Sequence, residues 1–114
     1  MINKFKKLFR NYSYRCNEKW DITYEELKTK VKRGAILLDV RSIQEYNEGH
    51  LIGAIHLADY DIPVKHDTAI PNKESEVVVY CQNGGRGKNA CKRLKKLGYK
   101  SVYNLCGGLD RVNY

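Results

Sequence analysis

From residue 20 onward, short apolar runs alternate with segments in which apolar positions recur every three to four residues. The runs AILLDV at 35–40 and VVVY at 77–80 are apolar almost throughout. A strand with one wet face would alternate, so both runs predict strands covered on both sides. Residues 54–58 and 101–106 are further strand candidates. Thr23 as N-cap and Glu26 three residues on predict a capping box, with Ile22 and Leu27 as a hydrophobic staple. A helix from residue 24 to about residue 32 follows, ended by Gly34. Ser42 and Glu45 repeat the box before a short helix that ends ahead of Gly49. After the second run, the glycine-rich stretch CQNGGRG leads into a helix with Ala90, Cys91, Leu94 and Leu97 on one side, closed by Gly98. Gly107 and Gly108 stop the last strand. Alternation of this kind predicts an α/β fold: a mainly parallel sheet with helices on both faces, whose sites lie beyond the carboxyl ends of its strands. Cys81 sits at one of those ends.

Composition adds bounds. With 114 residues, 42% of them hydrophobic, the chain is long enough for one core. A net charge of +8 favours anionic small molecules or acidic proteins as partners. Nucleic acid fits poorly, because the nine tyrosines are scattered and no reader motif is present. Residues 1–15 carry five positive and no negative charges. Their apolar residues Ile2, Phe5, Leu8, Phe9 and Tyr12 fall mostly at helical spacing, as in an amphipathic helix with a basic face or a frayed terminus. The expected organisation is a basic N-terminal extension at 1–19 and one domain at 20–114.

The cysteines at 16, 81, 91 and 106 are too dispersed for a C-x-x-C zinc or redox motif, so no metal or other cofactor is expected. No signal-peptide core and no membrane-spanning run is visible. These features predict a monomer in the reducing cytoplasm, where free thiols persist.

Free thiols supply the chemistry. A thiolate is the nucleophile, and an ordinary thiol with a pKa of ~8.5 is only slightly ionised at neutral pH. The loop after Cys81 can turn backbone N–H groups inward as an anion nest, and the helix behind it aims its positive end at the same point. Gly84, Gly85 and Gly87 permit backbone angles closed to other residues, and Arg86 adds a permanent charge at the rim. The polar loop offers the sulfur little apolar cover. A cysteine at a strand end is commonly just a small buried hydrophobe, but strand, cysteine, glycines and arginine together point to an anion-binding cup with a sulfur nucleophile at its base.

Three stretches, LLDVRSIQEYNEGHLIGAIHLA at 37–58, VVVYCQNGGRG at 77–87 and LKKLGYKSVYNLCGGLDRV at 94–112, resemble in order those of the rhodanese-like family. The resemblance implies a three-layer α/β domain with a central five-stranded parallel sheet. It also implies a sulfurtransferase whose cysteine, matched by Cys81, accepts a sulfane sulfur as a persulfide. A small anionic donor such as thiosulfate would supply that sulfur, and a thiol or cyanide would remove it. Gln82, Asn83, Gly84, Gly85, Arg86 and Gly87 match the loop that holds the persulfide and the departing anion. Asp39 and Arg41 match residues that brace the loop, although Arg41 has an alternative partner in Glu45 one helical turn on. His50 lies in a segment whose role looks architectural.

Two departures from the family matter. Position 87 is glycine where many relatives have serine, which removes a hydroxyl from the cup. Between Cys81 and Arg86 there is no second cation, which weakens the case for a doubly charged donor; polysulfide or a glutathione or protein persulfide would serve instead. Cys91 falls on the apolar helix face and is expected to be buried. Cys106, at the same sheet edge as Cys81, is either structural or a resolving thiol for the persulfide. Relatives of this fold that hydrolyse phosphate esters or reduce arsenate resemble C-x5-R, one residue longer than the C-x4-R here, so that activity is the weaker alternative. A third reading is a sulfur-carrier or docking module, with Lys88, Lys92, Arg93, Lys95, Lys96 and Lys100 as a basic rim for an acidic protein.

Overall fold

The computed structural model describes residues 16–112. The basic amphipathic segment at 1–15 lies outside them. Five strands form one all-parallel sheet: β1 (Asp21–Ile22), β2 (Ile36–Asp39), β3 (Ile55–His56), β4 (Glu76–Tyr80) and β5 (Ser101–Leu105), in the spatial order β1-β5-β4-β2-β3. Four helices cover it: α1 (Tyr24–Lys32), α2 (Ile43–Glu48), α3 (Ile62–Ala69) and α4 (Gly85–Lys96), with 3-10 turns at Asp59–Asp61 and Gly108–Arg111. None of the described helices is long and apolar enough to cross a membrane.

The near-continuous apolar strands follow from this layering. Leu38, Val77, Val79, Cys81 and Val102 face α3 and α4, packing with Ile62, Ala90, Cys91, Leu94 and Tyr99. Leu37, Val78, Tyr80 and Leu105 face the other way, against Leu27 of α1 and, through partly buried Tyr46, α2. Neither side of the central strands meets water, so alternation is lost.

Both capping boxes form. Thr23 Oγ1 accepts the Glu26 N–H at 3.1 Å while the Glu26 carboxylate accepts the Thr23 N–H at 2.9 Å. Ser42 Oγ accepts the Glu45 N–H at 3.2 Å, and Glu45 Oε1 accepts the Ser42 N–H at 3.1 Å. Each such N-cap stabilises its helix by about 1 kcal/mol. The second box turns the chain sharply after β2 and sets Glu45 beside the sheet's carboxyl edge.

Two elements go beyond the sequence reading. Strand β1 has only two residues, held by backbone bonds from Asn104 N to Trp20 O at 2.8 Å and from Cys106 N to Ile22 O at 2.9 Å. Helix α3 spans the segment after the 3-10 turn at Asp59–Asp61 and buries Ile62 and His66. His66 Nδ1 lies 2.9 Å from the Tyr99 hydroxyl, which donates to Ile70 O at 2.7 Å, so a polar pair joins the buried Ile62 in fixing this helix.

Candidate active site

The carboxyl ends of β2, β4 and β5 converge on one edge. Cys81 follows β4 directly, and its carbonyl accepts the Leu109 N–H at 3.0 Å; the Gln82 carbonyl accepts the Asp110 N–H at 2.9 Å. These bonds dock the Gly108–Arg111 turn onto the back of the loop. A Cβ at Gly108 (φ +62°) would stand 2.5 Å from Cys81 O and 2.6 Å from Gln82 O, so glycine is required where the two backbones meet.

Cys81 Sγ accepts the Gly84 N–H at 3.0 Å and the Gly87 N–H at 3.3 Å. The loop is held by Asn83, whose Oδ1 accepts the Gly85 N–H at 3.0 Å. Gly84 is the N-cap of α4 with φ +102°, a left-handed conformation costly for any residue with a Cβ. Among the loop glycines Gly84 alone has positive φ; Gly85 and Gly87 lie in the first helical turn, so the expectation that all three supply unusual angles is corrected. Gly87 is small for another reason: a Cβ there would overlap Asn104 Oδ1. The α4 N-terminus therefore presents two amides and the helix dipole to one sulfur, an arrangement that favours negative charge by about 0.3–1 kcal/mol from the dipole alone. Cys81 is also fully buried within the core cluster beneath α4, where the polar loop had suggested little apolar cover.

Arg86 forms two parallel bonds with Glu45, Nη1 to Oε1 at 2.6 Å and Nη2 to Oε2 at 2.9 Å. The Arg86 guanidinium, assisted by the Ser42 cap, holds the Glu45 carboxyl down at about 2 from an ordinary 4.5. Both side chains keep about a third of their surface in water (37% and 31%), so the pair is worth about 1 kcal/mol. Its consequence lies in charge: the loop's cation is already neutralised.

Arg41 turns to Asp39 rather than to Glu45. Its Nε lies 3.0 Å from Oδ1 and its Nη2 2.8 Å from Oδ2, with Nη2 also donating to Gly49 O at 2.6 Å. Asp39 is wholly buried and Arg41 nearly so. The Glu45 carboxylate is instead committed to Ser42 and Arg86. Arg41 Nη1 reaches Gln82 Oε1 at 3.5 Å, and Gln82 Nε2 donates to Asp110 Oδ1 at 2.9 Å, linking the sheet edge to the loop.

The other cysteines sit apart from this cup. Cys91 is fully buried on α4, and burial pushes its thiol up well beyond the ordinary range. Cys106 is disulfide-bonded to Cys16, with Cα atoms 5.7 Å apart, while Cys81 and Cys91 are free. In this state Cys106 carries no free thiol, in keeping with the structural alternative of the two. Parallel strands β1 and β5 bring the two together, a juxtaposition invisible across a separation of 90 residues. His50 stacks on Tyr46 with ring centroids 3.8 Å apart, and its Nδ1 lies 2.9 Å from Tyr46 O.

Beside the loop opens a cleft of about 750 Å³. Gln82, Arg41 and Glu45 form its wall toward the loop, with Leu27, Leu51 and Leu109 among its apolar lining. Sequence reasoning missed Glu45 as partner of Arg86, because its capping role already accounted for it. Asn104 was also missed: Nδ2 donates to Gly84 O at 3.3 Å from inside a strand, where its polarity was the one available signal.

Comparison with known proteins agrees with this architecture. Residues 23–113 match the rhodanese-like domain family. The thiosulfate sulfurtransferase GlpE of Coxiella burnetii is 34% identical over 79 residues, covering 69% of this chain and 72% of GlpE. YrkF of Bacillus subtilis, provisionally named a sulfur carrier protein, is 32% identical over 91 residues; 78% of this chain is covered, but the match spans about half (48%) of YrkF. The human single-domain sulfurtransferase TSTD1 superposes with a TM-score of 0.71 at 26% identity, covering 84% of this chain and 100% of TSTD1. With its five-stranded parallel sheet, its cysteine loop at the start of α4 and this match over most of its length, the chain belongs to the rhodanese-like domain family.

Proposed function

We propose that this protein is a sulfurtransferase in which Cys81 takes a sulfane sulfur from a small anionic donor and passes it to a thiol or cyanide acceptor. The observation that carries the reading is the cradle of Gly84 and Gly87 amides around a free Cys81 sulfur at the α4 N-terminus. Two inward amides stabilise a thiolate, and the same donors suit a persulfide anion one atom longer. In the first half-reaction with thiosulfate, the Cys81 thiolate attacks the outer sulfur, the S–S bond breaks, and sulfite leaves with the electron pair. In the second, an acceptor thiolate attacks the outer persulfide sulfur and restores the Cys81 thiolate. No proton shuttle is needed once the thiolate exists.

Asp39 and Arg41 act here as braces, through Gln82. The cycle requires Cys81 to stay reduced; a reducing compartment such as the cytoplasm suits a monomer working this way, and there the Cys16–Cys106 bond would open while Cys81 keeps its thiol. A carrier reading, in which protein partners load and unload Cys81 with little turnover on small donors, is favoured by the full burial of Cys81 and by the name borne by YrkF.

Intact mass of the reduced protein after thiosulfate, beside Cys81→Ser, tests the proposal. Gain of one sulfur by the native protein alone is the expected result. Absence of any gain, with polysulfide as well as thiosulfate, would overturn it.

A further inference from the structure

Between residues 82 and 87 the only cation is Arg86, and both of its Nη atoms are engaged by the Glu45 carboxylate. Glu45 is itself pinned: Oε1 accepts the Ser42 N–H and hydroxyl, both at 3.1 Å. The next cation along the rim, Arg41, is committed to Asp39 and Gly49 O. A donor entering the cup thus meets backbone amides together with an ion pair of no net charge. A dianion has to break the two Arg86 bonds or lie against the Glu45 carboxylate, and like charges in contact oppose binding. Glu45 also stands on the wall of the cleft of about 750 Å³, with Gln82 and Arg41; Leu27, Leu51 and Leu109 and the cations Lys28 and Lys32 line it too, giving room for an organic group that thiosulfate lacks and for carboxylates such a group carries away from its sulfurs.

We propose that Glu45 is a specificity-determining residue that, by neutralising Arg86, selects organic persulfides carrying at most one charge on the reacting sulfurs over the thiosulfate dianion. The inference rests on the sulfurtransferase reading and names its donor class. The organic group of R–S–SH lies in the cleft and its outer sulfur at Cys81. The Cys81 thiolate attacks that outer sulfur, the R–S to S bond breaks as the Cys81 Sγ–S bond forms, and RS⁻ leaves to take up a proton from water. No electrons are gained or lost overall. The Glu45 carboxyl, held at about 2, keeps its charge throughout the neutral range.

Glu45→Gln tests this cleanly, because glutamine at the third helical position preserves a capping box and hence α2. Loading of Cys81 is followed by mass with thiosulfate and with glutathione persulfide, giving kcat/KM for each; thermal melting checks the fold. The wild type prefers the persulfide. Glu45→Gln shifts the ratio toward thiosulfate by about tenfold, and the shift vanishes in an Arg86→Met background. A wild type that prefers thiosulfate, or an unchanged ratio in Glu45→Gln with both donors still loading Cys81, overturns the inference alone. Failure of both donors to load Cys81 overturns the sulfurtransferase reading, and this inference with it.

Discussion

Asn104 occupies the space that a side chain at residue 87 would need: a Cβ built on Gly87 overlaps Asn104 Oδ1 and stands 3.2 Å from Asn104 Cγ. Residues in such contact couple. Gly87 has ordinary helical backbone angles, so Gly87→Ala should stabilise by up to about 1 kcal/mol once the obstruction is gone. The expected result is that Gly87→Ala is less favourable in the native background than in Asn104→Ala, by at least about 0.5 kcal/mol in urea unfolding. Additive effects would mean that Asn104 turns aside freely.

The Asp39–Arg41 pair is the most deeply buried ion pair among the described residues. Removing one partner leaves the other charged and buried, which costs about 3–5 kcal/mol. Arg41→Met should therefore lower stability by that order, whereas Asp39→Asn combined with Arg41→Met should recover part of the loss. Chemical denaturation of the two variants beside the native protein measures this directly.

Glu45 gives a pH dependence with a definite sign. Its carboxyl lies near 2 in the fold against an ordinary 4.5, so the folded state favours the charged form. That contribution is complete above 4.5 and is lost as pH falls from there toward 2. Between those limits Glu45→Gln should show a shallower loss of stability than the native protein. Equal slopes would place the acid sensitivity elsewhere.

Desolvation marks Cys91 as an unreactive thiol. Cys91 lies beneath α4 with its thiol pushed up by desolvation, so in the folded, reduced protein it should resist alkylation at neutral pH and react only on unfolding. Peptide mapping after iodoacetamide, with and without denaturant, reads this out.

The Cys16–Cys106 bond closes a loop of 90 residues, and in the chain-entropy account such a link stabilises by up to about 4 kcal/mol. Cys106→Ser should lower the melting temperature, as should reduction of the native protein. Identical melting of oxidised and reduced protein would show that the bond constrains the unfolded chain very little.

What the sequence revealed depended on distance along the chain. The capping boxes at Thr23 and Ser42, the glycine closures and the doubly covered runs at 35–40 and 77–80 are local, and each left a readable pattern. Strand β1 left none, since two residues have no periodicity; its place comes from bonds to Asn104 and Cys106 more than eighty residues away. Helix α3 was hidden because Val64 is 82% exposed while polar His66 is buried, the reverse of what hydropathy suggests. At the site, Cys81 and Arg86 stood out through loop chemistry. Glu45 did not, because its bond to Arg86 spans 41 residues. The same holds for Cys16, whose partner is set by strand order.

In the proposed sulfurtransferase cycle, the complete burial of the Cys81 side chain would give the empty and loaded forms different faces. An added sulfur extends the reactive atom outward by about 2 Å, the length of one S–S bond. In that cycle the unloaded thiol would be shielded from oxidants and chance electrophiles, while the cargo atom would stand nearer the mouth of the cup, so that access would change with occupancy.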